Sequence, residues 1–232
     1  MPAYLWNRTT IVGCGLIGAS FALAIKKKGI CGLVAGWDRE PQVLEEALRL
    51  GIIDDVDGGF ASSSLSPSAS DLIYLAMPVG GILSFLKDQG SRAKAGAVIT
   101  DAGSTKAEIC AVANDYLPGD RHFIGGHPIA GSHLSGPAHA RADLFAGAPY
   151  ILIGENSRES AALLRVGQTV SVLGSHVYRM RASEHDRVMS LLSHLPQLTS
   201  VVLSETVRKR LGSDFFLELS VQIGRASCRE RV

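Results

Sequence analysis

Short apolar runs alternate with amphipathic stretches over the first 180 residues. Residues 9–12 (TTIV) form a β-branched run that predicts a strand. Residues 20–28 carry small and apolar side chains on one side and three lysines at the end, with Gly29 as a stop, which predicts a helix. The same alternation continues with a strand over 33–37 that ends at Asp38, then a helix over 41–50 stopped by Gly51. Residues 71–76 are almost continuously apolar, as expected of a strand covered on both faces. Beyond it the pattern predicts a helix from 79 to 86, a strand over 97–100, a helix over 106–116 and a short strand at 123–124. A strand over 149–153, a helix over 160–173 and a strand over 176–180 close this part.

Strands alternating with helices imply an α/β domain over residues 1–180, a Rossmann-like, doubly wound and mainly parallel sheet. The low-complexity stretch 62–70 (SSSLSPSAS) reads as a connector. From Ser183 the period changes. Val188, Leu191, Leu192, Leu195, Leu198, Val201 and Val202 recur at spacings of three and four, predicting one long helix to about residue 210, kinked at Pro196. Its apolar stripe needs a partner, which residues 211–221 are too few to supply. Residues 181–222 therefore read as the first long helix of a second, all-α domain.

Composition narrows the function classes. The 232 residues carry 23 Lys and Arg against 22 Asp and Glu, a formal charge of +1. That balance gives no electrostatic footprint for nucleic acid. No apolar run approaches the ~20 residues of a membrane helix, and the first residues lack a signal-peptide pattern, so a cytoplasmic protein is expected. Cysteines stand at 14, 31, 110 and 228 without a Cys-x-x-Cys pair, which suggests reduced thiols and no metal site. Residues 223–232 (IGRASCRERV) have no apolar period and match the translation of a common sequencing-adapter oligonucleotide. They are expected to be an artefact tail on a truncated reading frame.

The chemistry gathers at the ends of the predicted strands. Gly13-x-Gly15-x-x-Gly18 follows a strand and opens a helix. In that context Gly13 permits a tight turn, Gly15 lets the backbone approach a pyrophosphate, and Gly18 permits close helix–strand packing. The amides of Leu16, Ile17 and Gly18 then face the phosphates at the helix N-terminus. Asp38, 20 residues after Gly18, is placed to accept hydrogen bonds from ribose hydroxyls and so favours NAD. Arg39 beside it could instead pair with a 2′-phosphate. Pro78 lies after another strand and either ends it or lines the cofactor site. Ser104 could cap the following helix or serve in catalysis. His127, between Gly126 and Pro128 in a glycine-rich loop, is either structural or a proton acceptor.

Five segments together resemble the prephenate/arogenate dehydrogenase family of tyrosine biosynthesis. They are Val12-Gly-Cys-Gly-Leu-Ile-Gly-Ala-Ser20, Thr100-Asp-Ala-Gly-Ser-Thr-Lys106, Gly125-Gly-His-Pro-Ile-Ala-Gly-Ser132, Ala142-Asp-Leu-Phe145 and Ser193-His-Leu-Pro196. The resemblance implies an NAD-dependent oxidative decarboxylation of prephenate or arogenate, in which His127 takes the proton of the ring hydroxyl and Ser104 hydrogen-bonds that hydroxyl or His127. It implies a homodimer formed through the helical domain. His133 falls where the family often has Glu, and Gln197 where many members have a substrate-facing His; both become candidate substrate contacts. Asp186 matches an acidic residue near the start of the long helix and is either a third such contact or a solvated charge. The family's later carboxylate-binding arginine has no counterpart before the chain ends.

Two other readings compete. A β-hydroxyacid dehydrogenase or imine reductase would also join such a domain to helices, but would want a lysine early in the long helix, and residues 183–207 contain none. A non-catalytic NAD-binding module is the alternative from a different class.

Overall fold

The computed structural model describes residues 4–58, 68–154 and 161–211. The connector at 62–67 and the tail at 223–232 lie outside them. The chain divides into two compact units, the first ending at Asp186 and the second beginning at Arg187.

The first unit is built on β1 (Trp6–Val12), α1 (Leu16–Lys27), β2 (Cys31–Trp37), α2 (Pro41–Arg49), β3 (Asp55–Val56), β4 (Leu72–Leu75), α3 (Val79–Asp88), β5 (Val98–Asp101), α4 (Ala107–Tyr116) and β6 (His122–Ile124). Among the described residues these six strands form one sheet in the order β3-β2-β1-β4-β5-β6. Every pair is parallel, so all C-terminal ends share one edge. The expected doubly wound α/β sheet is thus present.

Alternation along each strand divides the core between the two faces. Leu72 and Tyr74 of β4 join Ile11, Val98 and Phe21 on one face. Ile73 and Leu75 join Val12, Ile99, Ile82 and Phe85 on the other. This is why the β4 sequence is apolar without a break. The Phe21 and Tyr74 rings stack at 3.8 Å between centroids.

The last strands depart from expectation. β8 (Pro149–Ile153) and β9 (His176–Met180), separated by α5 (Ala161–Val172), do not extend the main sheet. They form a second sheet with β7 (Gly126–Pro128), antiparallel to β8, while β8 and β9 are parallel. The region expected as a glycine-rich loop around His127 is therefore a strand. It escapes prediction because three residues, one of them Gly and one Pro, show no period. α5 is tied back to β1: the Trp6 indole N–H donates to Thr169 Oγ1 at 2.8 Å, and the Arg165 guanidinium lies 3.8 Å from the indole centroid.

The single long helix expected from 183 is also interrupted. α6 (Ala182–Met189) gives way to a π-helical turn, Ser190–His194, and then α7 (Leu195–Leu211). The Leu195 amide bonds back to the Ser190 carbonyl, five residues earlier. Pro196 has no N–H to offer the preceding turn and its ring crowds it, and the wider turn absorbs the break. The kink expected at Pro196 thus takes the form of a wider turn just ahead of it. Along this second unit Leu191, Leu192, Leu195, Leu198, Val201, Val202 and Leu203 are each more than half exposed. Among the described residues no helix is long and apolar enough to cross a membrane.

Candidate active site

The glycine turn follows β1 and opens α1. Gly13 has φ +91°, and a Cβ there would lie 2.6 Å from the Ala76 carbonyl oxygen. A Cβ on Gly18 would collide with the carbonyl of Gly13 and with Ile11. Gly15 differs, because a Cβ there would meet nothing within 4 Å. It is the N-cap of α1 and offers no side chain to the first amides, including those of Leu16, Ile17 and Gly18. Steric need fixes the first and third glycines, whereas the second leaves space beside an anion-seeking helix start, as a bound pyrophosphate requires.

Asp38 lies just beyond β2 and reaches back to this turn. Its Oδ2 accepts the Cys14 amide at 2.8 Å and its Oδ1 accepts the Glu40 amide at 3.0 Å. The carboxylate is thereby fixed at the sheet edge beside the glycine turn. Burial, with the Asp38 charge nearby, pushes the Cys14 thiol up to about 12, which disfavours the nucleophilic thiolate. Arg39 is exposed. Pro78, also exposed, is the N-cap of α3.

A buried ion pair sits at the end of β5. Asp101 and Lys106 are both fully buried and bonded to one another. Asp101 also accepts the Gly103 amide at 2.9 Å and, through Oδ1, the Gly126 amide at 3.0 Å. Lys106 Nζ donates to the Gly126 carbonyl at 2.8 Å. Burial pushes the Asp101 carboxyl up, and the lysine and the two amides pull against it. The pair grips the Gly126 peptide from both sides, and a Cβ on Gly126 would lie 2.5 Å from the Asp101 carbonyl oxygen. This clamp ties β7 to the C-terminal end of β5, on the same edge as the glycine turn.

His127 follows the clamped peptide and is half-buried. Its Nδ1 lies 2.8 Å from Nε2 of His185, which is fully buried. His185 Nδ1 in turn lies 2.7 Å from Asp186 Oδ1. Asp186 Oδ1 also accepts the Lys106 amide at 2.7 Å, and Oδ2 the Ala107 amide at 2.9 Å. Burial pushes the Asp186 carboxyl up, but the Ala107 amide, the His185 ring and the Lys106 amide outweigh it and hold it below the ordinary value. Burial likewise pushes His185 down, and the Asp186 contact opposes this without overturning it.

The helix start at α4 is thus capped by Asp186, far along the chain, and not by Ser104. Ser104 is exposed, and α4 receives no side-chain cap from its own N-cap residue. Asp186 is accordingly more than a solvated charge. His133 is exposed in the stretch after β7. Gln197 is exposed on α7, in the second unit. His185 is missed by the sequence reading, which quotes Asp101 and Lys106 only within the Thr100–Lys106 segment and gives them no role. Among the described residues no group of three or more His, Cys, Asp or Glu is arranged to hold a metal ion.

The family model described as the nucleotide-binding domain of prephenate dehydrogenase matches residues 21–179. The chain belongs to the prephenate/arogenate dehydrogenase family. Prephenate dehydrogenase of Bacillus subtilis is 36% identical to it over 194 residues, covering 83% of this chain and 52% of that protein. The prephenate dehydrogenase of Lactococcus lactis is 40% identical over 199 residues, covering 85% of this chain and 53% of that one. Among solved structures, Aquifex aeolicus prephenate dehydrogenase in complex with hydroxyphenyl propionate and NAD+ superposes with a TM-score of 0.80 at 29% identity. That match covers 88% of this chain and 70% of the other. The chain spans about half the length of these two curated relatives. The family match takes in the later part of α1, the clamp and β7.

Proposed function

We propose that this chain carries the cofactor-binding part and the proton-accepting histidine of an NAD-dependent dehydrogenase that oxidatively decarboxylates prephenate or arogenate. The observation that carries the reading is the placement of His127. The Asp101–Lys106 clamp holds it at the sheet edge where the glycine turn and Asp38 also lie. The NAD complex of the Aquifex relative supports the choice of cofactor, and the space at Gly15 together with the uncapped start of α1 fits its pyrophosphate.

The cofactor supplies the hydride acceptor. The residues of this chain manage position and the proton. Asp38 offers acceptor oxygens to ribose hydroxyls. His127 takes the hydroxyl proton as the ring carbinol becomes a carbonyl. The electron pair of the bond that releases CO₂ then enters the ring, and the proton held on His127 returns to the oxygen, leaving a phenol. Ser104, exposed after β5, is the proposed second partner of that hydroxyl. His133, Gln197 and Asp186 are the proposed residues for substrate recognition, with Asp186 acting through its neighbours. The exposed apolar face of α7 is the proposed homodimer contact.

The test follows reduced-cofactor absorbance with prephenate and with arogenate, in a protein of the curated relatives' length that contains these residues. His127→Asn is expected to lose about 10²–10⁴-fold in kcat, the usual weight of a general base, while binding NAD as before. Unchanged turnover in that variant removes His127 from the reaction.

A further inference from the structure

We propose that Asp186 and His185 form a positioning relay that holds His127 in the tautomer with its proton on Nδ1 and its lone pair on Nε2. The importance of this tautomer for turnover rests on the reading of His127 as the base; the relay itself rests on geometry.

The argument runs from the end of the chain of bonds that cannot reverse. Backbone N–H groups only donate, and the two that meet Asp186, from Lys106 and Ala107, engage both of its oxygens. These amides hold the carboxylate ionised, and an ionised carboxylate only accepts. His185 Nδ1, at 2.7 Å from Oδ1, must therefore be the donor. His185 is fully buried and its burial disfavours the cation, so the ring carries one proton, already placed on Nδ1. Its Nε2 is then an acceptor. His127 Nδ1, 2.8 Å away, must donate to it. A neutral His127 with its proton on Nδ1 keeps the Nε2 lone pair, the form that accepts a proton.

The Lys106–Asp101 pair also faces His185, with opposite charges whose effects on the ring oppose each other. The negative end of the relay is thus Asp186. When His127 gains a proton at Nε2, its Nδ1–H is already bonded to His185. The new charge is stabilised along the line toward Asp186 without a second proton transfer. The arrangement resembles a Ser-His-Asp triad in logic, with a second imidazole inserted between carboxylate and base.

The test reads the tautomer directly. Protein labelled with ¹⁵N-histidine is examined at neutral pH by long-range ¹H–¹⁵N correlation, with assignments from His127→Asn and His185→Gln. The expected result for the unmutated chain is a pyrrole-type Nδ1 and a pyridine-type Nε2 on His127. A pyridine-type Nδ1 on His127 overturns the relay. Asp186→Asn puts an amide NH₂ where only donors face it. It is expected to invert both rings and to lower kcat by about 10²–10⁴-fold with NAD affinity unchanged. His185→Gln keeps an acceptor toward His127 Nδ1 and is expected to retain the tautomer and most of kcat. A merely structural role would lower the melting temperature in both variants and leave the His127 signals in place, which overturns the relay. If neither substrate turns over while the His127 signals are as expected, the activity reading fails and the relay stands.

Discussion

Asp186 caps the helix that Lys106 opens, with its Oδ1 lying 2.7 Å from the Lys106 amide nitrogen. The same oxygen meets His185, so one carboxylate both ends a helix and anchors the line of groups leading to His127. Asp186→Ala removes both functions. A lost N-cap costs about 0.5–2 kcal/mol, and a buried imidazole N–H left without its acceptor adds about 1–3 kcal/mol. Urea unfolding is expected to show a loss within that combined range, with an unchanged m-value. A loss below a few tenths of a kcal/mol would show that the contact contributes nothing to the fold.

The glycine turn separates steric need from ligand need. Gly18→Ala drives a methyl into the Gly13 carbonyl and is expected to destabilise the chain strongly. Gly15→Ala meets no atom within 4 Å and the position has an ordinary φ of −69°. It is expected to fold with a near-native melting temperature and to bind NAD at least tenfold more weakly by calorimetric titration. Native affinity in Gly15→Ala would place the pyrophosphate elsewhere.

Stability should depend on pH through His185. Burial lowers its folded pKa below the ordinary 6.5, with the Asp186 contact opposing. As pH falls, the unfolded chain takes up this proton first, so stability rises with pH between the two values. The contribution is complete above about 6.5 and erodes as pH drops toward the folded value. Asp186, whose folded pKa is depressed below 3.8, adds a second loss at lower pH as its carboxylate is protonated. The melting temperature is expected to fall on acidification below pH 6.5, and less steeply in His185→Gln. Equal slopes in the two proteins would remove His185 from the effect.

The apolar face of α7 should drive self-association. Leu195, Leu198 and Val202 are 54%, 61% and 57% exposed. Replacing Leu198 with Glu is expected to shift sedimentation toward the monomer while leaving NAD binding intact. An unchanged distribution would place any dimer contact on another surface.

The sequence disclosed some elements and concealed others for physical reasons. β1, β2, β4 and β5 are buried on both faces, so their side chains had to be apolar or β-branched in runs, and runs are visible. β3 and β7 have two and three residues and owe their existence to pairing partners, which no local pattern records. The glycine spacing and His127 stood out by residue type and position. His185 did not, because within a helical stretch it reads as one more polar residue. Its role exists only because folding brings it 2.8 Å from a ring 58 positions away. Ser104 looked like a cap because caps are usually local, whereas here the cap arrives from residue 186.

The pairing of β7 with β8 has a consequence for how the site tolerates change. His127 stands opposite Ile151 in an antiparallel ladder. Sliding one strand by a single residue would turn the imidazole to the opposite side of the sheet. Main-chain bonds at both ends forbid that slip: Ile129 N–H to the Pro149 carbonyl at 2.9 Å, and Ile153 N–H to the Gly125 carbonyl at 2.8 Å. The orientation of the His127 ring is thus written into backbone register. Side chains along β8 can drift among apolar residues, but inserting or deleting one residue between Gly125 and Ile129 would turn the His127 ring away from His185 even with every neighbouring side chain intact.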